Sequence, residues 1–336
     1  MTKIFQQFGV IGAGAWGTAL AVALRRAGRD VTIWVHNPES VDNINQSHEN
    51  TLHLPGIELD PAIRATNDFS AFGKVDVLVF ATPAQRLRAV AQSLRTAAPL
   101  DKAVPVIIAA KGIELGTSKL LGDVVAEEMP GHGIAILSGP SFAREVVEQR
   151  PTALTLATRD KELGEALMQS IATPAFRPYL GDDVVGAQLG GAIKNVLAIA
   201  CGIVTGKKLG DNARAALVTR GLAEIMRLGT VLGARPETLM GLSGLGDLLL
   251  TCSSPQSRNM SLGIALGQGE KLDAILAGRT SIAEGVPTAV AALGLANTYK
   301  VDMPIVEAVA AVLNDLVSVD QAINDLLARP LKAERH

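Results

Sequence analysis

The glycines of the N-terminal stretch FGVIGAGAWG constrain this chain more than any other feature of it. Phe8, Gly9, Val10 and Ile11 read as the end of a buried strand, and residues 16–28 read as a helix. Between them Gly12, Gly14 and Gly17 stand at G-x-G-x-x-G spacing. Gly12 allows a tight turn, Gly14 keeps no side chain between the backbone and a ligand, and Gly17 lets the helix close on the strand. The unpaired N–H groups that open the helix, with their partial positive charge, suit a pyrophosphate. Residues 31–35, Val-Thr-Ile-Trp-Val, form a second β-rich run, so the glycines lie inside a β-α-β unit. This arrangement accommodates a dinucleotide.

The second run ends at His36-Asn37-Pro38. Strict use of NAD usually places an Asp or Glu here, to accept from the ribose 2′-hydroxyl. No acid stands at this strand end, and Glu39 follows only after a proline. His36 can face a 2′-phosphate, or it can be an ordinary loop residue. The first reading makes NADP or NAD the cofactor, with NADPH favoured.

Further buried runs follow at residues 75–80, 104–110, 134–137 and 153–157. They deliver Ala81-Thr82-Pro83, Lys111-Gly112 and Ser138-Gly139-Pro140-Ser141 to strand ends, where an open α/β sheet binds its ligands. Alternation with helical stretches predicts a parallel, doubly wound sheet. After Asp182 the pattern changes. Residues 184–205 read as a long helix whose one charge is Lys194, and 213–232 as a second, with Leu217, Leu222, Ile225 and Leu228 at helical spacing. More helical stretches follow at 261–266, 272–276, 287–299 and 304–316, without a clear strand. The expectation is an α/β domain over 1–182 and an all-α domain over 183–336.

Composition removes several classes of function. At 336 residues with 48% hydrophobic and 19% charged, the chain is long and apolar enough for two globular domains. A net charge of −2 and only 3% aromatics give no field or stacking platform for nucleic acid. Cys201 and Cys252 are too few for a thiolate metal site, and His48, Glu49 and His53 lack a further ligand, so no metal is expected. The N-terminus lacks the apolar core of a signal peptide, and no apolar run is expected to reach the ~20 residues of a membrane span. A cytoplasmic protein is the expectation.

Lys194 carries the most chemistry. A lysine on an otherwise apolar helix pays desolvation, which lowers its pKa and makes it a usable acid or base. The alternative is a lysine that snorkels to the surface. Asn195 beside it can hydrogen-bond a substrate. Lys111, at a strand end, can meet an anion, or be a surface lysine in a turn. Asp247 in GLSGLGDLLLTC can cap a helix or hold the Lys194 ammonium in place. Ser257-Arg258-Asn259 is a donor cluster suited to a phosphate, or a solvent-facing loop.

IGAGAWGTALA, AAKGIE, SGPSFA, QLGGAIKNVLAIACGI, NARAALVTRGLAEI, GLSGLGDLLLTC, SRN and AEG, in this order, resemble bacterial NAD(P)-dependent glycerol-3-phosphate dehydrogenase. The resemblance runs from about Gly9 to Pro304. It implies a Rossmann domain followed by a helical domain like the C-terminal one of 6-phosphogluconate dehydrogenase. It also implies hydride transfer between a nicotinamide and dihydroxyacetone phosphate, giving sn-glycerol 3-phosphate for phospholipid synthesis. By position, Lys194 matches the proton donor and acceptor. Lys111 matches a contact to both substrate and cofactor. Gly139, Ser141, Asp247, Ser257, Arg258 and Asn259 match substrate contacts, with Arg258 also reaching the cofactor. Ala15, Trp16, His36, Ala143, Ile282 and Glu284 match cofactor contacts, beside Gly12, Gly14 and Gly17. Lys207-Lys208 departs from the family by being more basic. A homodimer is left open.

Two other readings share these features. A dehydrogenase of the 6-phosphogluconate or hydroxyacid type would keep the fold and a helical lysine, but is not expected to carry GLSGLGDLLLTC or SRN. A non-catalytic NADP-binding sensor would keep the fold without needing Lys111, Lys194 and Asp247 together.

Overall fold

The structure is a computed structural model that describes residues 3–101, 103–278 and 283–331. Eight strands among the described residues form one sheet: β1 (Gln7–Ile11), β2 (Asp30–Trp34), β3 (Arg64–Thr66), β4 (Val77–Phe80), β5 (Val106–Ile108), β6 (Ile134–Ser138), β7 (Thr152–Ala157) and β8 (Phe176–Gly181). Their spatial order is 3-2-1-4-5-6-7-8. The chain runs outward from β1 in one direction and, after β3, from β4 in the other, which opens a crevice at the carboxyl ends of β1 and β4. Helices α1 (Ala15–Arg26), α2 (Pro38–Ser47), α3 (Leu87–Ala97), α4 (Leu121–Glu128), α5 (Ala143–Val147) and α6 (Lys161–Ile171) connect the strands. The VLVF run of β4 is buried at all four positions, as a strand covered on both faces must be.

The sheet departs from the sequence reading in three places. β3 is three residues long with an exposed Arg64, and β8 is FRPYLG with exposed Arg177, Tyr179 and Leu180. Neither shows the apolar run that betrays a buried strand. The sheet is also not wholly parallel, because β7 runs antiparallel to β6, pairing Leu137 with Leu156. Their connection carries only the five-residue α5. Arg26 of α1 ties that helix down through the Val146 and Val147 carbonyls, at 3.2 and 2.8 Å.

The second half is helical: α7 (Val184–Gly206), α8 (Asp211–Val231), α9 (Pro236–Leu239), α10 (Asp247–Ser253), α11 (Arg258–Gly267), α12 (Leu272–Ala277), α13 (Gly285–Tyr299), α14 (Pro304–Leu313) and α15 (Val319–Leu327). The Asp183 carboxylate starts α7 by accepting from Gly186 N at 2.8 Å. Contrary to the sequence expectation, α7 is long and apolar enough to cross a membrane. Its apolar surface is met by protein, since every residue from Leu189 to Val204 is buried. Against α11 the two backbones touch: a Cβ on Gly202 would lie 2.2 Å from Met260 O, and one on Gly263 would lie 2.0 Å from Ile199 O. Glycine is required wherever helices approach so closely.

One buried carboxylate ties the helical half together away from the strand ends. Glu224 of α8, 1% exposed, accepts from Ile305 N at 2.8 Å and Val306 N at 3.2 Å. These are orphan donors of the first turn of α14. Glu224→Ala strands both, and each buried N–H left alone costs about 1–3 kcal/mol. Urea unfolding is expected to show a loss of about 2–4 kcal/mol. Glu224→Gln, which still offers an acceptor, loses less.

Candidate active site

The glycine turn leaves a bare surface at the crevice. Gly12 has φ +114°, and a Cβ there would meet Ala81 O at 2.9 Å. A Cβ on Gly17 would lie 1.8 Å from Gly12 O, so α1 can pack on the turn only with glycine at that position. A Cβ on Gly14 would meet nothing within 4 Å. That open space lies at the N-terminus of α1, whose first turn has no side-chain cap and no acidic residue. Ala15 and Trp16 begin the helix there, half-buried, and the Trp16 indole N–H is buried without an acceptor. Ala143 opens α5 and is also half-buried. These features fit a dinucleotide: uncapped N–H groups, room above Gly14 and an unsatisfied donor.

At the end of β2, His36 is exposed, with its ring 5.8 Å from that of Trp34 at a tilt of 50°. Trp34 stacks on Phe69 at 4.5 Å and is itself buried. The Asn37 side chain is occupied, capping α2 by accepting from Glu39 N at 3.1 Å. The imidazole is thus the polar group this strand end presents without a capping duty.

The second cluster lies where α7 passes the strand ends. A Cβ on Gly191 would come within 2.6 Å of Ser138 Oγ and 3.6 Å of the Lys111 stem, so α7 rides close over β5 and β6. One turn on, Lys194 is 7% exposed, which rules out snorkelling. Its Nζ donates to Asp247 Oδ1 at 2.5 Å and to Thr251 Oγ1 at 2.9 Å. Lys111 Nζ reaches the other oxygen, Asp247 Oδ2, at 2.7 Å, and Gly139 O at 3.0 Å. Ser141 Oγ donates to the same Gly139 carbonyl at 3.0 Å. Burial lowers the Lys194 pKa to about 8; the Asp247 carboxylate works against the shift and the Lys111 charge with it.

Asp247 therefore does not act as a side-chain cap. It begins α10, but its carboxylate is spent on two ammonium groups. Thr251, absent from the sequence reading, sits one helical turn later on the same face. The D-x-x-x-T spacing would have found it. The SRN cluster also differs from a simple phosphate cradle. Ser257 Oγ caps α11 by accepting from Met260 N at 3.2 Å. The Asn259 amide bridges Asn195 Oδ1 at 2.9 Å and Gly285 N at 2.9 Å. Arg258 is the member left exposed to solvent. Its pKa is lowered by burial of its surroundings, while the Glu284 charge raises it. Glu284 Oε1 accepts from Ala84 N at 3.2 Å, joining the helical half to the sheet half, and its Oε2 is buried without a partner. Burial raises the Glu284 pKa to about 7, against the Ala84 N–H and the Arg258 charge. Ile282 lies outside the described residues. Lys207 pairs with Asp320 of α15 at 2.6 Å, which gives that departure a structural role.

The arrangement can deliver a proton. A buried amine whose pKa is lowered to about 8 has a proton to give, and the second cation beside it, Lys111, can steady negative charge.

Residues 7–164 match the family model described as NAD-dependent glycerol-3-phosphate dehydrogenase N-terminus, and residues 183–324 match its C-terminus. The glycerol-3-phosphate dehydrogenase [NAD(P)+] of Caulobacter vibrioides is 56% identical over 98% of this chain and 99% of its own. That of Parvibaculum lavamentivorans is 53% identical over 99% and 100%. The crystal structure of glycerol-3-phosphate dehydrogenase from Coxiella burnetii, 36% identical, superposes with a TM-score of 0.93 over 97% of this chain and 99% of that one. Ketopantoate reductase from Ralstonia eutropha, 16% identical with a TM-score of 0.59, shares the fold.

Asp247→Asn removes the negative charge that lies between the two ammonium groups. Lys194 then keeps its burial and its cationic neighbour but loses its counter-charge. Its pKa is expected to fall below about 8 by one unit or more, since each unit is about 1.4 kcal/mol of differential interaction. The ¹³Cε resonance of Lys194, followed against pH, measures the shift.

Proposed function

The chain belongs to the NAD-dependent glycerol-3-phosphate dehydrogenase family, and from that premise we propose that it reduces dihydroxyacetone phosphate to sn-glycerol 3-phosphate with NADPH or NADH. The observation that supports the reading best is Lys194, buried and bonded to Asp247 and Thr251 where α7 crosses the strand ends. When bound, the nicotinamide supplies the hydride for the carbonyl carbon. The Lys194 ammonium stabilises the oxygen as it gains charge and gives it a proton. Asp247 and Thr251 hold the amine in place for that transfer, and Lys111 adds a second positive charge.

In this reading Gly139, Ser141, Ser257, Arg258 and Asn259 hold the substrate with the two lysines and Asp247. Arg258 meets the phosphate, where a guanidinium can engage two oxygens at once. Gly12, Gly14, Ala15, Trp16 and Gly17 receive the pyrophosphate end of the cofactor, His36 its 2′ position, and Ala143, Ile282 and Glu284 the rest. The cofactor-binding unit is residues 1–182, and 183–336 is the helical unit that supplies the acid. A cytoplasmic setting and a homodimer belong to the same proposal, the dimer tested by light scattering. The basic test is loss of nicotinamide absorbance at 340 nm on adding dihydroxyacetone phosphate; a rate no higher than with unphosphorylated dihydroxyacetone overturns the reading.

Lys194→Ala is expected to lower kcat by ~10²–10⁴ or more while cofactor affinity, read by nucleotide fluorescence, stays near wild type. The pH profile carries a sign. Reduction needs the ammonium, so its rate is full below a pKa of about 8 and falls as pH rises through it. Oxidation of glycerol 3-phosphate needs the free amine and rises through the same range.

His36→Asp tests the cofactor choice. An acid here adds an acceptor for a 2′-hydroxyl and repels a 2′-phosphate. At a partly solvated site this is worth about 1–3 kcal/mol, so the ratio of kcat/KM for NADPH over NADH is expected to drop roughly five- to a hundredfold. An unmoved ratio places His36 outside the 2′ pocket.

A further inference from the structure

Asp247 is delivered to the two lysines by an irregular piece of backbone. Residues Leu242–Gly246 form a single π turn, closed by Gly246 N donating to Gly241 O at 3.0 Å, across five residues instead of four. Asp247 follows at once as the first residue of α10. The extra residue rotates what comes next by about 100° relative to an uninterrupted helix, which decides the direction in which the carboxylate points.

The turn is held against α7 by contact between backbones. A Cβ on Gly190 would lie 2.4 Å from Ser243 O and 2.9 Å from Gly244 Cα. On the far side of the turn, a Cβ on Gly244 would lie 1.9 Å from Leu239 O. The π turn is thus clamped between α7 and the end of α9 with no space for a methyl on either side. Gly190 stands one turn before Lys194 on the same helix, so it sets the gap between the helix that bears the lysine and the turn that bears its carboxylate. Ser243 is fully buried and its hydroxyl has no partner, so the serine side chain does not anchor the turn.

We propose that Gly190 is a positioning residue for proton transfer: by admitting the π turn 242–246 against α7, it holds Asp247 within hydrogen-bond reach of both Lys194 and Lys111. The proposal rests on the acid–base role given to Lys194 above. A methyl at position 190 must push Ser243 and Gly244 away from α7. Asp247, three residues beyond, moves off with them, and Lys194 stays behind on α7. The ammonium then loses part of its counter-charge while remaining buried, so its proton leaves at lower pH.

The test uses the whole enzyme with ¹³C-labelled lysine, the Lys194 resonance being assigned from its absence in Lys194→Arg. Gly190→Ala is expected to lower the titration midpoint of Lys194 by about one unit and to move the alkaline limb of the reduction rate with it. Cofactor affinity should be unchanged. Gly241→Ala, whose added methyl would lie 3.2 Å from Glu237 O, disturbs the same turn more gently and should shift the midpoint the same way by less. Gly206→Ala is the control: it creates an equally severe clash, 2.3 Å from Ile264 O, but stands twelve residues from Lys194, about 18 Å along α7. It should lower Tm and leave the Lys194 titration at the wild-type value.

A wild-type titration in Gly190→Ala overturns the proposal; if that variant does not fold, a wild-type titration in Gly241→Ala does so. An equal shift in Gly206→Ala also overturns it, because the effect is then general loosening. Should the resonance shift while the rate profile stays fixed, the positioning of Asp247 stands and the proton-donor reading of Lys194 falls. Resonance and rate shifting together support both.

Discussion

A single carboxylate, fully buried, holds two ammonium groups that reach it from opposite halves of the chain. Asp247 takes Lys194 on one oxygen and Lys111 on the other. Three charges in so dry a place are costly, and their mutual attraction offsets the desolvation only when the geometry is good. The consequence shows on Lys194, whose pKa settles at about 8 because burial outweighs its partner. The grouping carries one excess positive charge. That is the sign needed where a carbonyl oxygen is to become negative, and it is in place before any substrate arrives.

The rest of the architecture serves to bring those three residues together. Lys111 comes from the end of β5, at the crevice that the strand order opens. Lys194 comes from α7, the helix around which the second half packs. Gly191 lets that helix pass within touching distance of Ser138 at the end of β6, and Gly202 lets α11 seat directly on its backbone. Small residues are therefore not spread along α7 for flexibility. Gly190, Gly202 and Gly206 each mark a place where another backbone comes close, Gly191 makes room for the Ser138 and Lys111 side chains, and the apolar residues between them fill the core. The same composition that makes α7 long and apolar enough for a bilayer is what lets it be enclosed by protein on every side.

The α/β half was legible because its information is local. Strand runs such as VLVF and the glycine spacing at 12, 14 and 17 report their own environment, and the structure places them as read. β3 and β8 were not legible, because an edge strand with Arg64 or with Arg177 and Pro178 carries no apolar signature; only pairing with a neighbour makes it a strand. At the site, Lys194 and Lys111 stood out as charges in apolar or strand-end surroundings. The direction of Asp247 did not stand out. It depends on a π turn, and sequence periodicity does not distinguish a turn of five residues from one of four when glycines surround it. The hydrogen bonds of Ser257 and Asn259 within the protein were not legible either: a polar residue next to a helix start does not announce that its side chain engages α11, α7 and α13.

The charge of the chain and the charge of the site point in opposite directions, and both are useful. The whole protein carries −2, which gives no long-range attraction for anions in general. Within the site Lys111, Lys194 and Arg258 oppose Asp247, with Glu284 poised near pH 7 between charged and neutral. The local excess is thus one to two positive charges, with Lys194 and Asp247 buried, Lys111 half-buried and Arg258 exposed. An anion entering there is screened far less than at the surface, so the few charges present act strongly. Glu284 adds a further constraint. Its one bonded oxygen joins Ala84 of the sheet half to α13 of the helical half, and its other oxygen has no donor. A ligand that brought a donor to that oxygen would satisfy a buried acceptor and favour the ionised form. Binding of such a ligand would be coupled to a proton on Glu284.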